Sequence, residues 1–192
     1  MWLHGIGGTG ADARSWLLSS LPWESCNLLE LCGSPCAHMA RGCFTWFEYE
    51  GQWAAHAAPG HIRSAIDRVT PAALAHAHGA KKLTIIGYNQ GAAIAITLAA
   101  RLRRLGLRVI VVVLRGQHEV YACDHLAEDV MWDFAVHAFL SSRDRSVPLH
   151  LAKWSLRVLR QQGCGVMRYV SRRGSHTHLT SAETARLSAL VL

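Results

Sequence analysis

A chain of 192 residues suits one domain with a sizeable core, and 51% hydrophobic against 17% charged residues excludes a disordered chain. The formal charge of +7 comes mostly from arginine and allows an acidic partner, but no run of Lys/Arg interleaved with aromatics supports nucleic-acid binding. No apolar run reaches the ~18 residues of a membrane span and no signal-peptide pattern opens the chain, so an intracellular setting, cytoplasmic or organellar, is expected.

The opening stretch, Met1 to Gly10, reads as the end of a strand entering a glycine-rich loop, His4-Gly5-Ile6-Gly7. The Lys-Ser/Thr of a phosphate-binding loop is missing. An oxyanion loop fits better, with the backbone N–H of Ile6 aimed at a substrate oxygen. Only Met1 and Trp2 precede Leu3, so the fold is expected to be N-terminally truncated. Ala13 to Leu21 reads as a short helix ended by Pro22, and Leu28 to Leu31 as a strand. Cys32 to Cys43 reads as a loop. Its Cys32, Cys36, His38 and Cys43 do not match the spacing of a zinc finger or knuckle, so no metal and no cofactor is expected and the thiols read as reduced. Phe44 to Tyr49 is short and aromatic. Trp46 and Phe47 in it read either as a packing plug or as the wall of an acyl pocket.

His61 to Ala77 has helical spacing, with Ile62, Ala65, Ile66, Val69, Ala73 and Ala77 on one face. Pro71 is expected to bend or restart it, and Gly79 to cap it. Leu83 to Ile86 is a strand, and an alanine-rich helix runs from about Gly91 to Leu105. Leu107 to Leu114 is near-continuously apolar, as in the centre of a parallel sheet. Phe134 to Leu140 is another strand, Pro148 opens a helix to about Gln162, and Val166 to Val170 is the last strand. Thr180 to Glu183 forms a capping box for the final helix. Strands alternate with helices and no linker or repeat interrupts them. One α/β domain over residues 1–192 is therefore expected, its sheet mostly parallel with helices on both faces.

The chemistry-bearing stretch is Gly87-Tyr88-Asn89-Gln90-Gly91, directly between a strand and a helix. It is the G-x-S-x-G elbow of an α/β-hydrolase with asparagine in the serine position. The two glycines suit a turn that leaves no room for side chains, and asparagine tolerates the positive φ of the central residue. Gln90 would supply the second oxyanion N–H. The acid of such a site follows a late strand, which points to Asp144 in Ser141-Ser142-Arg143-Asp144-Arg145. The base follows the last strand, where His178 is favoured and His176 is near enough to take its place.

These pieces come in a characteristic order. Leu3-His4-Gly5-Ile6-Gly7, Thr45-Trp46-Phe47-Glu48, Gly87-Tyr88-Asn89-Gln90-Gly91-Ala92-Ala93, Asp144 with Val147-Pro148, and the His176/His178 segment span nearly the whole chain. Together they resemble the phospholipase/carboxylesterase family of α/β-hydrolases, which includes the acyl-protein thioesterases. The resemblance implies a compact esterase fold without a large lid. Asn89 departs from it, as does the stretch Gly116 to Asp133.

A carboxamide is not an alkoxide precursor, so the leading expectation is a catalytically inactive hydrolase-like chain, a binding or structural subunit with protein partners in a larger assembly. The alternatives are a serine carboxylesterase or acyl-protein thioesterase in which Asn89 is an inactivating substitution, and residual general-base chemistry by the His/Asp pair.

Overall fold

The computed structural model describes residues 1–12, 27–36, 41–49, 57, 59–119 and 132–191. Six strands form one sheet in the order β2-β1-β5-β6-β7-β8, and every neighbouring pair is parallel. Its members are β1 (Trp2–Leu3), β2 (Glu30–Leu31), β5 (Leu83–Tyr88), β6 (Val109–Leu114), β7 (Ala135–Ser141) and β8 (Gly165–Ser171). A separate antiparallel hairpin joins β3 (Ser34–Pro35) to β4 (Phe44–Thr45). β3 lies within Cys32 to Cys43, which reads as loop, and β4 opens the aromatic stretch after it, because two-residue strands carry too little alternation to be seen in sequence.

Side-chain alternation sends successive strand residues to opposite faces. Ile85, Val111, Val113, Val136, Ala138 and Leu140 enter one apolar cluster with α1 (Pro59–His76), α2 (Gln90–Arg104) and α3 (Leu149–Gln161). Ile86, Val112, Leu114 and Phe139 enter a second with Leu187 of α4 (Ser181–Val191). Both faces of β6 are thus covered, which is why its sequence is an unbroken apolar run rather than an alternating one. The small side chains of α2 let it lie close on the sheet, and most of it is buried.

α1 runs through Pro71 as one helix instead of restarting there. Proline removes one N–H, which leaves the Asp67 carbonyl without its helical donor, but Asp67 and Pro71 both lie on the exposed side of the helix. Pro148 is the N-cap of α3 rather than its first helical residue, since its ψ of 133° is extended. The capping box of α4 forms as expected: the Thr180 N–H donates to Glu183 Oε2 at 2.8 Å and the Glu183 N–H to Thr180 Oγ1 at 3.3 Å. The expected helix over Ala13 to Leu21 lies outside the described residues. No helix among the described residues is long and apolar enough to cross a membrane.

The crossing of β5 and α2 over β1 sets a tight steric limit. A Cβ on Gly91 would lie 2.5 Å from the His4 carbonyl oxygen and closer still to that of Leu3. Both obstacles are backbone of a central strand and cannot swing aside. Gly91→Ala is expected to destabilise the fold by about 1–3 kcal/mol, read as a lower midpoint in urea unfolding.

Candidate active site

Asn89 sits between β5 and α2 with φ 50° and ψ −114°. Positive φ was expected, but this ψ lies outside the left-handed helical region that asparagine favours. The conformation is therefore strained for any non-glycine residue, at a cost of order 1–3 kcal/mol. The surroundings hold it there. The Asn89 N–H donates to Leu114 O at 3.0 Å and its carbonyl accepts from the Ala92 N–H at 3.1 Å. Gly116, two residues past the end of β6, presses against it, and a Cβ there would sit 2.6 Å from Asn89 O.

Asparagine at a helix N-cap usually bonds its side chain to the N–H groups of the first turn. Here the side chain makes no capping bond. It turns instead to His176, with Nδ2 3.1 Å from His176 Nε2. The other ring nitrogen, Nδ1, lies 2.9 and 3.0 Å from the two Asp144 carboxylate oxygens. A carboxylate can only accept, so Nδ1 carries the proton, and Nε2 then accepts from the Asn89 amide. Three residues from the carboxyl ends of three strands thus form one chain: Asn89 after β5, Asp144 after β7, His176 after β8.

The sequence favours His178 for the base and leaves His176 as the alternative; it is His176 that contacts Asp144 and Asn89. The His178 side chain is exposed, and its carbonyl closes the turn by accepting from the Ser175 N–H at 3.2 Å. Asp144 is nearly buried. Burial alone would raise its pKa, but the His176 hydrogen bond and the Val147 and Ser146 N–H groups outweigh this and hold the carboxyl below its usual range.

The loop with Ile6 is tied down on both sides. The Gly7 N–H donates to Phe44 O at 2.9 Å and the Gly8 N–H to Gly5 O at 3.1 Å. His4 braces it from below. Its Nε2 accepts from the Gly33 N–H at 2.9 Å, so Nδ1 carries the proton and donates to Gly5 O at 2.6 Å. Burial lowers the His4 pKa, consistent with a neutral ring. Ile6 and Gln90 both line a cleft of about 330 Å³ beside Asn89, with Tyr49, Gln117, Glu119 and Leu151 among its other walls.

Trp46 and Phe47 do not line that cleft. Both are buried in the core, as the packing alternative has them. Their backbone grips Gln90: Oε1 accepts from the Trp46 N–H at 3.0 Å and Nε2 donates to Phe47 O at 2.7 Å. Trp46 Nε1 donates to His4 O at 2.8 Å, joining the same brace. The aromatic segment thus fixes the residue after the nucleophile position. Tyr49, two residues on, is the one that reaches the cleft.

Sequence reading missed Arg115, Gly116 and the second role of Glu183. Arg115 is almost fully buried and, with Asn89, is one of two described non-glycine residues at positive φ. An arginine and a glycine directly after an apolar strand were the available signal. His38 lies outside the described residues, and among the described ones no group of three His, Cys, Asp or Glu could hold a metal ion. Cys32, Cys36, Cys43 and Cys164 are free thiols. A larger groove, about 580 Å³, lies at the amino ends of β6, β7 and β8 between Lys81, Lys82, Arg103 and Arg108. It is at the opposite edge of the sheet from the elbow. Ligands of parallel sheets bind at the carboxyl edge, which here holds Asn89, Asp144 and His176.

A parallel sheet covered on both faces, a strained residue between strand and helix, and an acid and a histidine after later strands define the α/β-hydrolase fold. No family model and no curated protein sequence matches the chain. Solved structures do. SOBER1 from Arabidopsis thaliana is 16% identical, with 99% of this chain and 95% of that one covered at a TM-score of 0.73. The carboxylesterase from Bacillus cereus is also 16% identical, over 99% and 85%, at 0.72. Acyl-protein thioesterase 2 from Zea mays is 19% identical, over 98% and 90%, at 0.70. At such identities the likeness establishes the α/β-hydrolase fold, the fold expected from the sequence.

Proposed function

We propose that this chain is a catalytically inactive member of the esterase and thioesterase group, a binding or structural subunit of a larger assembly. The observation that carries the reading is the amide of Asn89, 3.1 Å from His176 Nε2 at the place a nucleophile would occupy. A carboxamide N–H is not acidic enough to be surrendered to imidazole, and no oxygen nucleophile results. Losing the nucleophile of such a triad costs ~10⁶-fold in turnover. The ligand-binding half of the machinery remains in place. An acyl carbonyl oxygen placed near the Ile6 and Gln90 N–H groups would find donors without meeting a nucleophile.

Purified protein is expected to show no hydrolysis of p-nitrophenyl acetate or of an acyl thioester above the buffer rate. Turnover that disappears in both Asp144→Ala and His176→Ala would overturn the reading and favour general-base chemistry by the remaining pair. The subunit role is checked by the size at which the native protein migrates in cell extract. Migration as a free chain of 21.1 kDa counts against it.

A further inference from the structure

We infer that the buried Arg115–Glu183 pair is a positioning device that holds the 174–180 loop and thereby aligns His176 between Asp144 and Asn89. The inference rests on the reading of Asn89, Asp144 and His176 as one site. Neither Arg115 nor Glu183 lines the cleft.

Arg115 follows β6 at the point where that strand meets the elbow. Its N–H donates to Phe139 O at 3.0 Å, while Leu114 before it accepts from the Asn89 N–H. A positive φ of 50° at Arg115 redirects the chain there. The guanidinium then reaches the far side of the site. Nε donates to Ser175 O at 2.7 Å, and one terminal nitrogen donates to His178 O and to Glu183 Oε2, each at 3.0 Å. The other terminal nitrogen lies 2.8 Å from Glu183 Oε1, at ion-pair distance though off the hydrogen-bonding angle. The two carbonyls bracket His176 in sequence. One rigid planar fork therefore fixes both sides of the turn that presents the imidazole.

The rest of the loop leaves no slack. Ser141 Oγ donates to Gly174 O at 2.6 Å, and a Cβ on Gly174 would lie 2.5 Å from the Arg115 guanidinium. Glu183 is itself anchored, since it accepts from the N–H and hydroxyl of Thr180 through the α4 capping box. The chain of contacts runs from the elbow through Arg115 to the histidine turn and on to α4.

A buried ion pair is a poor device for stability alone, because desolvating two charges offsets their attraction and apolar replacements often do as well. Its value is directional. Lysine supplies charge without the fork and cannot hold two carbonyls and a carboxylate in one plane.

The test reads His176 directly by nuclear magnetic resonance in the full chain with Asn89 in place. The wild type is expected to show a downfield proton for the His176 Nδ1–H bonded to Asp144. Arg115→Lys is expected to broaden or lose it. The double variant Arg115→Met/Glu183→Leu, which orphans neither charge, should lose the signal while unfolding cooperatively like the wild type. His178→Ala should leave the signal unchanged, since only its carbonyl is used. An unchanged signal in folded Arg115→Lys, or in the folded double variant, overturns the proposal. Because the readout needs no turnover, ester hydrolysis by the wild type that depends on Asp144 and His176 would sink the functional reading and leave this one standing.

Discussion

Asn89→Ser is expected to turn an unreactive protein into one labelled by a fluorophosphonate probe, with His176→Ala abolishing the labelling. Serine would place Oγ within reach of His176 Nε2, which now accepts from the Asn89 amide. The proton on Nδ1 is already directed at Asp144, so the tautomer needed by a general base is in place. The elbow is held by backbone bonds to Leu114 and Ala92, and no side-chain capping bond is lost in the exchange. The fold should therefore tolerate the change. Each oxyanion donor contributes ~3 kcal/mol in comparable sites. The Ile6 loop is tied to Phe44, and Gln90 is gripped by Trp46 and Phe47, so clear labelling is expected rather than a trace. A revertant that folds and stays unlabelled at high probe concentration would mean that the pocket no longer admits an electrophile. His178→Ala should label like its parent, which separates the two histidines.

Acid should destabilise the protein through His118, well before its carboxylates are protonated. His118 is 2% exposed, packs edge-on to Trp132 at 5.4 Å, and neither ring nitrogen has a hydrogen-bond partner among the described residues. Burial lowers its pKa from 6.5 to about 4. Above pH 6.5 neither the folded nor the unfolded state binds the proton, and His118 contributes no pH dependence. Between 6.5 and 4 the unfolded chain binds it and the folded chain does not, so stability falls as pH falls. Below 4 both states are protonated and the loss levels off at about 3 kcal/mol. His4 and His137 are lowered by burial too and add losses of the same sign. Asp144 and Glu183 also have depressed pKa values, and their contributions are lost only as pH falls further, through those lowered values. The comparison that isolates His118 is therefore urea unfolding of wild type and His118→Leu at pH 7 and pH 4.5. The leucine orphans no hydrogen-bond partner, so it should flatten the pH dependence by about 2–3 kcal/mol over that range. Parallel pH profiles in the two proteins would show that His118 is accessible to protons in the folded state.

The parts legible in sequence are those encoded by local rules. Apolar runs of strand length, helical spacing on α1, and the capping box at Thr180 each depend on residues a few positions apart. The elbow is legible because its glycines answer a steric demand made within five residues. Gly87 and Gly91 are needed where β5 turns into α2, whatever occupies position 89. The hairpin of β3 and β4 was not legible, since strands of two residues have no period.

By itself, then, the sequence determined the alternation of strands and helices and the glycine-flanked turn that carries Asn89 between β5 and α2, because short-range spacing and turn chemistry specify them. The tertiary structure alone decided which histidine faces Asn89. His176 and His178 lie on one short turn, and their identities do not distinguish them. The choice is made by the direction of the turn, which Arg115 fixes from 60 and 63 positions earlier in the chain. It also decided that Trp46 and Phe47 face the core, because backbone groups of that segment are bonded to the Gln90 amide across the fold. An arginine at the end of an apolar strand looks like the start of an exposed loop until its carboxylate, 68 residues on, is folded against it. Long-range hydrogen bonds carry no local pattern, and they set the directions of the side chains in this site.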